Sequence, residues 1–170
     1  MAVFFIADTH FGDDAIRRYE GRPFSSRQEM DEELIRRWNG AVTDEDRVWV
    51  LGDFCVPGLE AALLSRLRGI KYLVKGNHDT LPSEDYRRAG FREVYDLPVI
   101  LENFWIASHE PLYVNTNMPY ANLFGHVHAS PQYRDLSPQH FCVCAERTGY
   151  APIPFDEIKR KVHEAARQDG

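Results

Sequence analysis

Short apolar runs rich in β-branched and aromatic residues alternate along this chain with segments where apolar side chains recur every three or four positions. The runs read as strands and the periodic segments as amphipathic helices, and their alternation predicts an α/β domain. Residues 3–7 predict a buried first strand, with further strands at 47–51 and 70–74. Residues 91–101 predict a fourth, interrupted by Pro98, which has no N–H to give a ladder. Later runs at 103–107, 121–124 and 139–145 follow one another without long helices between them, which predicts a second, more antiparallel sheet.

Helices are predicted at about 26–38, where Met30, Leu34, Ile35 and Trp38 share a face, and at 59–67. A closing helix is predicted at 155–167, where Pro154 stands just before the first turn and Phe155, Ile158 and Val162 line one side. Residues 82–86 start a short one. No repeat, low-complexity tract or linker divides the chain, so residues 1–170 read as a single domain. The length of 170 residues, 44% hydrophobic, suits one core and is short for two.

Composition narrows the function classes. Lys and Arg total 20 against 26 Asp and Glu, and the net charge of -6 disfavours capture of extended nucleic acid. The N-terminus turns apolar at once, lacks a basic flank and reaches Asp8, so it reads as neither a signal peptide nor a membrane span. Cys55, Cys142 and Cys144 are too few for a disulfide framework or a zinc ribbon and fit a reducing, cytoplasmic setting. Nothing in the pattern fixes an oligomeric state.

The chemistry gathers where the apolar runs stop. Asp8-Thr9-His10, Gly52-Asp53, Gly76-Asn77-His78-Asp79, Ser108-His109-Glu110 and Gly125-His126-Val127-His128 each follow a predicted strand. In open α/β sheets the carboxyl ends of the strands converge on one crevice, so these clusters predict one shared site. A polar residue at a single strand end is ordinary; such residues at five ends together are not. Carboxylates and an amide oxygen are hard ligands and imidazoles borderline ones, a mix that suits Mn, Fe or Zn better than Ca or Mg, with Mg or Ni also compatible. Asp8, His10, Asp53, Asn77, His109, His126 and His128 make seven candidate ligands, too many for one tetrahedral ion, and point to two divalent ions. Gly52, Gly76 and Gly125 each precede a ligand, where the absence of a Cβ permits close approach.

Asp8-x-His10, Gly52-Asp53, Gly76-Asn77-His78-Asp79, His109 and Gly125-His126-x-His128, in this order, resemble the motifs of the calcineurin-like metallophosphoesterase family. The resemblance spans residues 8–128. It implies a two-sheet β-sandwich flanked by helices, with one metal at Asp8, His10, Asp53 and His128. A second would be held by Asp53, Asn77, His109 and His126, so that Asp53 bridges. It also implies that His78 faces substrate as general acid or transition-state donor and that Asp79 orients His78. Residues 17–31, with Arg17-Arg18-Tyr19, Arg22-Pro23-Phe24 and Glu29-Met30-Asp31, resemble a small single-domain bacterial or phage branch of that family. The runs Asp53-Phe54-Cys55 and Gly12-Asp13-Asp14 depart from many relatives, so substrate contacts do not carry over.

Arg17 and Arg18 are candidate phosphate contacts, because guanidinium groups pair with phosphoryl oxygens in two-point fashion; a solvated basic face is the plainer alternative. For Asn77 the alternative is a turn former and for His78 a supporting histidine. His140 and His163 stand outside the motifs, and Cys142 and Cys144 read as small buried hydrophobes on one strand face. The expected function is hydrolysis of a phosphodiester or phosphomonoester, a nucleotide included, by attack of a metal-bridging hydroxide. The diester is favoured because the chain is too short for a large specificity cap. The competing expectations are a protein-interaction scaffold with a vestigial site, disfavoured because all seven positions are filled, and a metal-binding regulator without turnover.

Overall fold

The computed structural model describes residues 1–133 and 136–168. In chain order the elements are β1 (Val3–Ile6), α1 (Asp14–Tyr19), α2 (Arg27–Ala41), β2 (Arg47–Val50), α3 (Glu60–Arg66), β3 (Ile70–Val74), α4 (Ser83–Ala89) and β4 (Glu93–Tyr95). They continue with β5 (Val99–Leu101), β6 (Trp105–Ala107), β7 (Ala121–Phe124), β8 (Leu136–Ser137), β9 (His140–Cys142), β10 (Ile153–Pro154) and α5 (Phe155–Gln168).

The strands form two five-stranded sheets, in the orders β10-β1-β2-β3-β4 and β5-β6-β7-β9-β8. In the first, β1 to β4 run parallel and only β10 is antiparallel. Its strands therefore bury both faces, and successive side chains part to opposite sides. Phe4, Ile6, Val48, Val50 and Leu73 meet Met30, Leu34, Ile35 and Trp38 of α2 and Leu63 and Leu64 of α3. Phe5, Ala7, Trp49, Leu51 and Val74 meet Trp105, Ala107, Ala121, Leu123 and Phe141 of the second sheet, with Phe155, Ile158 and Val162 of α5 closing that layer. The result is helices on one face of the first sheet and the second sheet on the other, with α5 closing the layer between the sheets, the two-sheet α/β arrangement expected.

Local sequence explains where the helices start. The Ser26 hydroxyl accepts from the Glu29 N–H at 3.1 Å, and the Glu29 carboxylate reaches back to the Ser25 N–H at 2.6 Å, so each supplies a partner for backbone left open at a helix start. Asp13 does the same for α1, accepting from the N–H groups of Ala15 and Ile16. That short helix has no buried residue and so no apolar stripe by which its sequence announces it. No helix among the described residues is long and apolar enough to cross a membrane.

Two expectations change. The second sheet is mixed: β5 and β8 are antiparallel to their neighbours, but β6, β7 and β9 are parallel. The segment 108–120 is long enough to return the chain to the other end of the sheet without a helix, which a parallel pair requires. The run 91–101 is not one interrupted strand. Pro98 stands where the chain leaves β4 in one sheet and enters β5 in the other. At the rim the sheets are stitched together: the Ala7 N–H donates to the Val143 carbonyl at 2.8 Å, and the Ala145 N–H to the Ala7 carbonyl at 2.9 Å.

Leu123 lies in the middle of the second sheet with no exposed surface. Leu123→Ala is expected to cost about 2–5 kcal/mol of stability, read from chemical unfolding, because the cavity cannot collapse between two sheets. A cost below about 1 kcal/mol would mean that this layer is not close-packed.

Candidate metal centre

The parallel strands β1, β2, β3, β6 and β7 all deliver their carboxyl ends to one rim, and just past those ends the chain turns sharply. Asp8, His10, Asp53, His126 and His128 all take positive φ, at 58°, 47°, 54°, 69° and 47°. For a non-glycine residue each such φ costs on the order of 1–3 kcal/mol and persists only where the surroundings impose it. Here the turns bring the side chains of five distant segments into one cluster.

Asp53 Oδ2 sits at the middle, 3.4 Å from His10 Nε2 and 3.5 Å from His109 Nε2. On one side Asp8, His10 and His128 offer ligand atoms within 4.8 Å of one another. On the other, Asn77 Oδ1 lies 2.9 Å from His109 Nε2 and 3.0 Å from His126 Nδ1, and these two ring nitrogens are 3.1 Å apart. All seven predicted ligand positions meet in this way, and Asp8 also stands with Asp53 and His109 in a second group whose ligand atoms lie within 4.8 Å of one another.

The arrangement fits cations and suits little else. His109 Nδ1 is 2.9 Å from the Leu51 carbonyl, which can only accept, so the ring proton resides there and Nε2 carries a lone pair. That lone pair faces Asn77 Oδ1 and Asp53 Oδ2, acceptors both. Asp8 Oδ1 and His10 Nε2 are sealed from solvent without a hydrogen-bond partner. Buried polar atoms left without partners are costly, and a bound cation would supply the missing partner. The donor set of carboxylate, amide oxygen and imidazole is what a borderline divalent ion takes.

The carboxylates divide by environment. Burial pushes the Asp8 carboxyl up, with His128 and His109 opposing. Burial also works on Asp53, but the neighbouring His10 and His109 rings and the His78 N–H outweigh it and hold the group at about 2. Asp53 is thus the member most firmly kept as an anion. Asp79, pushed up by burial, accepts from the backbone N–H groups of Asp53 at 2.8 Å, Phe54 at 3.1 Å and Gly76 at 2.8 Å. It pins the turns after β2 and β3 to each other. Among the described residues its hydrogen bonds go to this backbone rather than to the His78 ring that it was expected to orient. The His78 side chain is exposed, with its ring 5.2 Å from that of His10.

Arg17 donates to Asp14 at 2.7 Å and to the Phe24 carbonyl at 2.9 Å, and Arg18 pairs with Asp14 at 3.3 Å while remaining 69% exposed. Two residues absent from the sequence-based set lie against the cluster. Glu146 Oε1 is 3.1 Å from His128 Nδ1, and Arg22 Nη2 is 2.7 Å from the same oxygen. Burial raises Glu146, but His128 and Arg22 more than offset it, and the carboxyl lies below its usual range. Burial lowers His128, and Glu146 with Asp8 more than reverses it. The available signals were an acid directly after the buried apolar run that ends at Ala145 and an arginine lodged between Gly21 and Pro23.

The sequence model of the calcineurin-like phosphoesterases matches residues 1–137, a stretch that holds all seven donors and Arg22 and stops short of Glu146. An uncharacterized protein of Methanocaldococcus jannaschii is 29% identical over 170 residues, spanning 95% of this chain and 92% of that protein. A crystal structure of a protein of unknown function from Aquifex aeolicus has the same fold, with a TM-score of 0.72 at 23% identity over 94% of this chain and 98% of that one.

Gly52 and Gly76 are the tightest points of the cluster, each with a side-chain atom 2.3 Å from where a Cβ would stand, and at Gly52 that atom belongs to His109. Gly52 has φ +87°, and a Cβ there would come within 2.3 Å of His109 Nδ1 and 2.7 Å of the Gly76 Cα. Gly52→Ala is expected to displace His109 from the Leu51 carbonyl and to lower bound metal, measured by elemental analysis after dialysis, more than it lowers the melting temperature. Full metal content in this variant would show that His109 is not needed to hold an ion.

Proposed function

The chain belongs to the calcineurin-like phosphoesterase family, and from that premise we propose that it hydrolyses phosphodiesters using two divalent ions held by Asp8, His10, Asp53, Asn77, His109, His126 and His128. Membership carries the broad class, a metal-dependent phosphoesterase; the paired ions and the diester are the proposal. One observation carries it: all seven metal-capable side chains converge at one rim, with Asn77 Oδ1, His109 Nε2 and His126 Nδ1 lying 2.9 to 3.1 Å apart, while Asp8 Oδ1 and His10 Nε2 are buried without a hydrogen-bond partner. When bound, the ions supply Lewis acidity toward phosphoryl oxygens and acidify water.

The protein's own part is to hold this geometry and to manage charge and protons. Asp53, kept ionised, lies between both groups of ligands and is the natural shared carboxylate. The Leu51 carbonyl and Glu146 set which nitrogen of His109 and His128 carries the proton, leaving the other to face the cluster. His78, exposed at the rim beside His10, is free to give a proton to a leaving oxygen. Arg17 and Arg18 both pair with Asp14, and Arg18, at 69% exposed, is the more accessible of the two to a phosphate.

Asn77, His78 and His126 are exposed while the deeper donors are buried, which supports an open groove rather than a capped pocket. An open groove admits a phosphorus centre with substituents on both sides. The net charge of -6 favours a small diester, such as a nucleotide derivative, over extended nucleic acid. The donor mix favours Mn, Fe or Zn. A scaffold without chemistry has no use for five non-glycine residues held at positive φ around buried, unpaired acceptors.

Metal-stripped protein is expected to be inactive on chromogenic diester and monoester substrates and to recover on addition of Mn, with the diester faster; Asp53→Asn should lose both activity and metal. Activity that survives chelation, or an Asp53→Asn variant with normal turnover, would remove the proposed centre from the reaction. His78→Ala is expected to keep its metal and to lose about 10²–10⁴ in kcat on a poor leaving group. The loss should be much smaller on a nitrophenolate, which departs without a proton; equal losses on the two would rule out a proton-donating role.

A further inference from the structure

We infer that Glu146, clamped by Arg22, is the positioning residue for His128, and that this buried pair sets the affinity of the ion shared by Asp8, His10 and His128. The inference rests on the metal centre proposed above and adds residues that the family match does not include, since the match ends at residue 137.

The observation is the surroundings of one arginine. Arg22 Nε donates to Glu146 Oε1 at 2.9 Å, and Nη2, which lies 2.7 Å from the same oxygen as an ion pair, donates to the Asp8 carbonyl at 2.6 Å. Nη1 donates to the Thr9 carbonyl at 2.9 Å and reaches the Met30 sulfur at 3.6 Å. All three nitrogens of the planar guanidinium fork are thus engaged. The Arg22 side chain is 0% exposed and that of Glu146 5%, so the pair is a fixture of the interior. Lysine offers three donors and no fork, and cannot reproduce it.

That fixture touches the proposed ion's ligands twice. Glu146 Oε1 takes the Nδ1 proton of His128 at 3.1 Å, which leaves the Nε2 lone pair toward Asp8 Oδ1, 3.8 Å away. A carboxylate behind a metal-binding imidazole fixes its tautomer and ring orientation and strengthens it as a ligand. The contact to the Asp8 carbonyl grips the residue whose φ of 58° turns its side chain into the cluster. One guanidinium thereby holds in register two strand ends that lie far apart in the chain. In the other group, His109 is backed by the neutral Leu51 carbonyl instead.

Glu20, His128 and Glu146 also bring three ligand atoms within 4.8 Å, and Glu146 Oε2 is buried without a partner, so a third cation is the rival assignment. The Arg22 guanidinium already supplies the positive charge at Glu146, and a second cation beside it would be repelled. The cluster therefore positions a ligand rather than adding a site.

Metal-stripped wild-type protein titrated with Mn²⁺ by calorimetry should bind two ions. Glu146→Gln, which keeps the shape and an acceptor oxygen but loses the charge, should bind one ion as the wild type does and the other about 10–100-fold more weakly. Arg22→Lys should weaken the same ion. Because removing one member of a buried pair can unfold the chain, the double variant Arg22→Gln/Glu146→Gln is titrated alongside and should show the same selective loss. Two unchanged affinities in folded Glu146→Gln, or equal weakening of both ions, overturns the inference. A third ion in the wild-type titration reassigns the cluster as a site, and a wild-type chain that binds fewer than two ions overturns the underlying reading instead.

Discussion

Crowding of metal-capable side chains at one rim is the constraint on which the rest of this molecule depends. Asp8, His10, Asp53, Asn77, His109, His126 and His128 converge there, with Asp8 Oδ1 and His10 Nε2 buried and unpartnered. Left to itself such a cluster would spread apart or take up protons, because buried like poles repel and burial disfavours charge. The fold resists this with rigid parts. Parallel strands aim their ends at one place, residues at positive φ turn the side chains inward, and Gly52 and Gly125 leave room where a Cβ would strike His109 or Asp8.

Rigidity here comes from backbone as much as from side chains. Asp79 gathers three N–H groups from two separate turns, and Asp8 Oδ2 accepts the His126 N–H at 2.8 Å across the whole sandwich. Arg22 bonds a full positive charge directly to the backbone of the first motif, and does so from the interior. Two groups of ligands consequently rest on different supports: a charged pair behind His128, and neutral carbonyl and amide oxygens around His109. Unequal supports give unequal fields, which is one physical route to two ions of different affinity in a single site.

Much of this was legible in the sequence because the governing signals are local. Buried parallel strands read as unbroken apolar runs, and each ligand cluster directly follows one, so the rim of β1, β2, β3, β6 and β7 was visible before any geometry. The parallel core of the second sheet was not, because strand direction depends on how 108–120 returns across the sheet, and that segment carries neither helical nor strand period. Pro98 marked a break correctly but not that the chain changes sheets there. Arg22 and Glu146 escaped because their meaning lies in a contact spanning 124 positions, with no motif around either. Asp79 was legible as important, yet its hydrogen bonds run to backbone, which side-chain motifs do not reveal.

The stitch between Ala7 and residues 143–145 bears on how the two sheets are held together. Ala7, at the end of β1, is joined by its backbone to Val143 and Ala145 beyond the second sheet, and Glu146 immediately follows that join. Asp8, His10, Asp53 and Asn77 follow strands of the first sheet, whereas His109, His126 and His128 follow strands of the second. The complete donor set therefore exists only where the two sheets are docked. An ion bound by both sets of donors favours the docked sandwich over either sheet alone, so metal binding and sheet docking are linked.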